Sequence, residues 1–412
     1  MKKYIPLILI LLIFLSCGSG KKKVVTIWSD IPEIAMYTEQ YNALEGGERY
    51  VVEYKENPVS ALSEEELHPD LVISRNLHNP ESEKLFSPLN SLAIKSGIPI
   101  ETIYSGFIRS CEKDDELYTI PLSFNLPGII FLSDIIPESR AFFYLSPEEI
   151  QAYADPFNQK RGESFTNMGF SPLWNPEFLL TTSWGFDARF RAGGEYIRWN
   201  TSALSHALSF QRHWIEESAG SIDAALEFME KYLFEPKYKL IKEGRIRFAY
   251  MDSREFFNLP ESRINGLDIR WYEVDGKIPV VKDTVYAAVP IAAKQKKEGA
   301  AYIKWLLMPK TQKMLITSLR DAGIPSFGFA QGFSSVAEIN QRYFPEIYPF
   351  LLGKIPADRD LTYPEVLPKS WPLLKEEVIK PWIAAAVSEA PEAKQEELSQ
   401  NIKTWLLQGG AY

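Results

Sequence analysis

The sequence predicts an α/β chain, and three observations carry that expectation. Short apolar runs alternate with helical patterns along the N-terminal part. Some of these runs are continuously apolar, as strands of a parallel sheet covered on both faces are. Each run ends in polar residues, which is where open α/β sheets meet a ligand crevice. With 412 residues, the chain has length for two or three units of domain size.

The elements follow in order. "VVTIWSDIPEIAMYTEQYNALEG" opens with a buried strand, Val24 to Trp28, then a loop at Ser29 and Asp30. A helix follows, carrying Ile34, Met36, Tyr37 and Tyr41. "RYVVEYKE" alternates as a second strand, and "HPDLVISRN" holds a third, with Leu71, Val72 and Ile73 in a row. The strand tips are Ser29-Asp30 and Ser74-Arg75-Asn76. Capping and ordinary loop polarity explain any one of these residues. Their recurrence is what points to a crevice.

The stretch "DDELYTIPLSFNLPGIIFLSDIIP" reads as two strands interrupted at Ser123, Phe124 and Asn125 and bracketed by Pro121 and Pro127. Proline cannot donate to a ladder, so a single uninterrupted strand is excluded. Cys111, in a strand-like stretch before it, is expected to be a small buried hydrophobe. Beyond Pro137, "LSPEEIQAYADP" carries an N-cap at Ser146, proline at the first helical position and acids in the first turn. "NTSALSHALSFQRHWIEESAG" is an amphipathic helix with Leu204, Ala207, Leu208 and Ile215 on one face. His206 and His213 share another face without the short spacing of metal ligands, so a solvated face is expected there. "SIDAALEFMEKYLF" is another helix. "GRIRFAYMDSREF" gives a strand, Ile246 to Met251, ending in Asp252, Ser253 and Arg254. "TVYAAVPIAAKQKKEGAAYIKWLLMPKTQKMLI" is a strand, a turn and helices, and the tail from Ser370 is helical. No internal repeat is visible.

Composition excludes several functions. A net charge of -9 and the lack of a long basic block argue against nucleic acid as partner. There is no G-x-S-x-G, H-E-x-x-H or P-loop, so no catalytic residue, metal or cofactor is expected. Met1-Lys2-Lys3, an apolar run from Tyr4 to Leu15 and then "SCGSG" have the order of a secretory signal. The run is shorter than the roughly 20 residues a spanning helix needs. Cys17 after it resembles the lipidated cysteine of bacterial lipoproteins, although Leu15 and Phe14 depart from the usual pattern. Gly18 to Lys23 would then be a tether.

Several blocks, taken in order, resemble the extracellular solute-binding proteins of ABC importers, the group that includes the maltose-binding protein. They are "VVTIWSD", "HPDLVIS", "LYTIPLSFNLPGIIFLSDII", "GRIRFAYMDS", "KEGAAYIKWLLMPKTQKML" and "AAAVSEAPEAKQEELSQNIKTWLL". The chain departs from the family at Thr119, at Leu132-Ser133-Asp134 and at Leu145 to Glu149. The resemblance implies a two-lobed periplasmic-binding-protein-like fold (type II), with lobes joined by crossover hinge strands. Residues 1–17 would be the signal, 18–23 the tether, 24–124 with 283–328 the first lobe, and 125–282 with 329–412 the second. Pro121 to Gly128, Lys282 to Val289 and Ser326 to Gly332 would be the crossovers, with Ser123 and Asn125 facing the cleft.

On this resemblance the protein is a lipid-anchored monomer facing the periplasm or cell exterior. It would capture a small solute, a sugar or oligosaccharide, and deliver it to a membrane permease. The expected ligand-binding residues are Ser29, Asp30, Arg75, Asn76, Asn125, Asn175, Glu177, Asp252, Ser253, Arg254 and Trp371, with lipidation at Cys17. Trp371 is expected either to stack on a sugar or to cap a helix start. Arg75 and Arg254 suggest a clamp for an acidic ligand, or else pairs with Asp30 and Asp252. A secreted glycan-acting hydrolase and a lipoprotein that signals to a membrane receptor are the alternatives.

Overall fold

The computed structural model describes residues 23–44, 47–137, 143–280, 282–389 and 395–410. The expected signal, Cys17 and most of the tether lie outside them. Among the described residues no helix is long and apolar enough to cross a membrane.

Two sheets organise the chain. The first has six strands in the order Phe333–Ser334, Ile120–Asn125, Lys282–Ala288, Leu71–Arg75, Val24–Ser29 and Arg49–Tyr54. Val24–Ser29 runs parallel to both its neighbours, while Lys282–Ala288 is antiparallel to Leu71–Arg75 and to Ile120–Asn125. Leu71, Val72 and Ile73 are fully buried, as a continuous apolar run in such a sheet requires. The second sheet orders Ala249–Tyr250, Gly128–Leu132, Leu267–Tyr272 and Tyr144–Leu145. Its core includes Phe131, Phe178, Trp214, Phe248 and Tyr272.

The interrupted apolar run is where the chain passes between sheets. Ile120–Asn125 belongs to the first and Gly128–Leu132 to the second. Pro127 lies in the gap, and its carbonyl accepts from Tyr272 N at 2.9 Å. Pro121 sits where the ladder with Lys282–Ala288 shifts register, which is where a strand tolerates the missing donor. Gly128 has no room for a side chain, since a Cβ there would lie 2.6 Å from Ile269 and 2.8 Å from the Met251 carbonyl.

Several expectations need correction. Phe333–Ser334 pairs with Phe124 and Ser123 as an edge of the first sheet, past the boundary drawn at 328, because those backbone groups need partners. Of Ile246 to Met251 only Ala249–Tyr250 joins a sheet. Cys111 closes the helix Ser105–Cys111 and is buried there. By contrast, Ser146 and Glu149 form a capping box on Pro147–Ala154, as their spacing predicts.

Candidate functional site

A cavity of about 530 Å³ opens beyond the C-terminal ends of Val24–Ser29 and Leu71–Arg75. This is the position where open α/β sheets hold ligands, and the volume suits a small solute. One wall comes from the first sheet and its loops: Asp30, Ser74, Arg75, Asn76, His78, Thr284 and Tyr286. Glu56 to Pro58 and Ser60 extend this wall. The opposite wall is the C-terminal segment, with Pro364, Leu367, Lys369 to Leu373 and Lys375.

That segment is tied to the second unit of the chain. Leu361–Thr362 pairs with Ile278–Pro279, Ala192 N donates to the Val366 carbonyl at 2.8 Å, and the Tyr196 hydroxyl bonds that of Ser370. Asn76 Nδ2 donates to the Lys369 carbonyl, which joins residues of the two walls. Asn76 reaches it from a left-handed backbone conformation, φ 60°, which asparagine adopts more readily than most residues.

Asp30 and Arg75 form an ion pair on the cavity wall, Oδ2 to Nη1 at 3.0 Å. Burial raises the Asp30 carboxyl above its ordinary value, against the lowering pull of Arg75. Arg75 Nη2 donates to Gln331 Oε1, so the clamp expected for an acidic ligand is already occupied within the protein. Tyr286 is buried, and that burial holds its phenol well above the ordinary value, so it stays neutral. Thr284 and Tyr286 reach the cavity together because alternate residues of a strand share a face.

Four of the expected residues come together here: Asp30, Arg75, Asn76 and Trp371. Trp371 is 6% exposed and opens the helix Trp371–Leu374. Its ring packs on Phe190 and Trp184, at 5.9 and 6.5 Å between centroids. It therefore both starts a helix and lines the cavity.

The others stand behind or away from it. Ser29 Oγ donates to the Ile73 carbonyl at 2.6 Å and accepts from Ile31 N at 3.0 Å. Asn125 is buried and outside the cavity lining. Its Nδ2 donates to the Gln331 carbonyl at 2.9 Å, and its Oδ1 accepts from Ser253 Oγ at 2.7 Å. Ser123 is likewise buried, donating to the Ala330 carbonyl at 2.9 Å. The polar residues inside the apolar run thus anchor the loop that leads into Phe333–Ser334, whose Ala330 and Gln331 adopt φ 44° and 66°; the crossover expected at 326–332 therefore leads back into the first sheet. Asn175 caps the helix Pro176–Gly185, and Asp252 caps Ser253–Phe257. Arg254 lies in the first turn of the latter, half-buried and outside the cavity lining. Glu177 is 5% exposed and faces Lys380 and Lys375 at 3.2 and 3.7 Å.

Sequence reasoning missed His78, Thr284 and Tyr286. The strand alternation through Lys282–Ala288 was the available signal for the last two. Among the described residues no cluster of His, Cys, Asp or Glu suits a metal ion.

No protein-family model matches the chain, and no curated protein matches it in sequence. Solved structures do match. A sugar transporter from Rhizobium etli in an open conformation superposes with a TM-score of 0.66 at 13% identity, covering 92% of this chain and 99% of that one. A maltose-maltodextrin binding protein of Alicyclobacillus acidocaldarius gives 0.60 at 13% identity, over 92% and 100%. An ABC substrate-binding protein from Listeria monocytogenes in complex with cycloalternan gives 0.59 at 11% identity, over 95% and 100%. At such identities the likeness speaks for the architecture: the chain has the periplasmic-binding-protein-like α/β fold expected from its sequence.

Proposed function

We propose that the protein is the solute-binding component of an ABC importer, taking an uncharged sugar or oligosaccharide into the cavity between its two lobes. The observation that carries this reading is the cavity itself. It sits at the strand ends and is walled by one lobe on one side and the C-terminal segment on the other. It offers the aromatic residues Tyr286 and Trp371, and hydrogen-bonding groups from Ser74, Asn76, Thr284 and Ser370. Sugars present apolar C–H faces to rings and hydroxyls to such a rim. The similarity to sugar-binding structures supports the same class of ligand.

An uncharged ligand is favoured because the terminal nitrogens of Arg75 already pair with Asp30 and Gln331, and Lys375 of the cavity faces Glu177. A hydrolase is disfavoured for a related reason. Asp30 and Glu56 are the cavity's acids among the described residues, and Asp30 is tied to an arginine rather than free to move protons. The lobes would be 24–124 with 283–328 and the remainder of the mature chain, with the first extended through Phe333–Ser334 to complete its sheet. Closure would be a hinge motion where the chain passes between the sheets, after Asn125, before Lys282 and beyond Ser334, in which a few residues at element ends absorb the change while each lobe moves as a body. Delivery to a permease and anchoring through a lipidated Cys17 complete the reading.

A thermal-shift screen of the chain without its first 17 residues tests it. The panel holds maltotetraose, mannotriose, cycloalternan, acidic sugars, phosphorylated polyols and amino acids. A ligand at 100 times its dissociation constant adds about 2.7 kcal/mol of stability. Stabilisation by a neutral sugar, with no product formed, is the expected result. Stabilisation by an anionic compound alone would overturn the proposed ligand class.

A further inference from the structure

Two buried nitrogens of cavity-lining residues have no protein partner: Nε of Arg75 and Nε2 of His78. Unpaired buried polar groups are few in native proteins, and each calls for a reason such as a missing ligand. The two belong to one stretch of chain, at the end of the strand Leu71–Arg75 and in the loop after it.

The loop is braced. Asn79 Nδ2 donates to the Asn76 carbonyl at 2.9 Å, Asn79 N donates to the Leu77 carbonyl at 3.1 Å, and Ser82 Oγ bonds the same carbonyl. The His78 ring rests near Tyr286, 5.7 Å between centroids. Its environment also fixes its proton. Burial pushes the imidazole down to about 4, opposed by a hydrogen bond to the Ser110 backbone. A backbone group that favours the charged ring is a carbonyl acceptor. Because Nε2 is the unpaired nitrogen, Nδ1–H is the donor to Ser110. The neutral ring therefore holds a lone pair, and no proton, on Nε2.

We propose that His78 reads the ligand: its bare Nε2 accepts a hydrogen bond from a ligand hydroxyl and so selects for hydroxyl-bearing solutes. Opening of the cleft parts Asn76 from Lys369 and admits the ligand to this nitrogen. A hydroxyl can donate, as His78 Nε2 requires, and a neighbouring hydroxyl can accept, as Arg75 Nε–H requires. A carboxylate has no proton to offer and sets its own lone pairs against that of His78. The inference rests on the cavity being a sugar site.

The test combines titration calorimetry with nitrogen-15 long-range NMR. Wild type and His78→Phe are titrated with maltotetraose, mannotriose and cycloalternan; phenylalanine keeps the ring against Tyr286 and removes both nitrogens. For whichever sugar binds wild type, the variant is expected to bind about tenfold more weakly, the loss of one well-made hydrogen bond. In ligand-free wild type, Nε2 of His78 is expected to be unprotonated at pH 7 and to shift on addition of that sugar. With four histidines in the chain, the variant assigns the signal. Wild type that binds none of the three sugars overturns the sugar-receptor reading and this inference with it. Binding that survives the substitution unchanged overturns the role of His78 alone. A proton found on Nε2 of the free wild-type protein does the same, and needs no folded variant.

Discussion

Arg75 and Asp30 meet at 3.0 Å on the cavity wall, and the same guanidinium reaches Gln331 in the loop before Phe333–Ser334. The pair is oriented to hold a position more than to add stability. Burial raises the Asp30 carboxyl from its ordinary 3.8, and Arg75 only partly offsets that. The sign follows from linkage. Between 3.8 and the raised folded value, the unfolded chain has released a proton that the folded chain still holds. Asp30's contribution to stability therefore falls as pH rises through that window. Asp30→Asn is expected to remove this slope; because Arg75 keeps Gln331 and both side chains of the pair stay partly exposed, the cost at pH 7 should be about 1 kcal/mol, below the roughly 3 kcal/mol of a fully buried pair that loses one partner. It also releases Arg75, so affinity for an anionic sugar such as an oligogalacturonate should rise. Urea unfolding and calorimetry check both; a loss of several kcal/mol would mark the pair as structural.

Trp371 has a double role, and its two roles separate by experiment. The ring is packed on Phe190 and Trp184 as well as lining the cavity. Trp371→Ala is expected to lose about 3 kcal/mol or more of stability, in the range of buried aromatic truncations, and about 1 kcal/mol of sugar binding. Trp371→Phe should recover most of the stability. A variant with full stability and weakened binding would place the ring on the ligand and not in the core.

Much of the fold was legible because it is written in periodicity. Leu71, Val72 and Ile73 read as a doubly covered strand, and they are one. The Pro121 to Pro127 interruption marked a passage between sheets. Half-legible were the polar tips: Asp30, Arg75 and Asn76 reach the cavity, whereas Asp252 and Asn175 spend their side chains on helix caps. One short polar residue after a strand looks the same in sequence whether it caps or binds. Glu177 illustrates the remaining difficulty. Its burial depends on two lysines far along the chain, Lys375 and Lys380, a pairing that only the tertiary structure makes. His78 was illegible for a similar reason, since its orphaned nitrogen is defined by what does not reach it.

The Glu177 site gives a stability prediction. Its carboxylate lies between Lys380 at 3.2 Å and Lys375 at 3.7 Å, side chains that are 19% and 11% exposed. Removing one partner of a buried pair leaves the other uncompensated, at a cost of about 3 kcal/mol. Lys380 keeps Glu376 at 2.6 Å, which softens the loss. Glu177→Gln is therefore expected to destabilise by about 2 kcal/mol in urea unfolding. Because Lys375 lines the cavity, sugar affinity should weaken too. An unchanged midpoint would show that Glu376 alone suffices for both lysines.

Asp358 ties the C-terminal segment to the helix Ser105–Cys111. Its carboxylate accepts from Ser105 Oγ at 2.5 Å and Gly106 N at 3.1 Å, and from the Tyr363 hydroxyl. The fit is close: a Cβ on Gly106 would lie 1.9 Å from the Tyr363 ring. Burial alone would raise this carboxyl, but the bonds from Ser105, Tyr363 and Gly106 outweigh it and hold the group below 3.8. The stability it contributes is thus present above 3.8 and lost as pH falls through the lowered folded value. Asp358→Asn should cost about 1–2 kcal/mol at pH 7, the worth of hydrogen bonds to a charged acceptor. The gap between wild type and variant should then narrow as the pH is taken below 3.8. Urea midpoints at pH 7 and pH 3 decide the point, since an equal gap at both would mean that shape, and not the charge on Asp358, holds the segment in place.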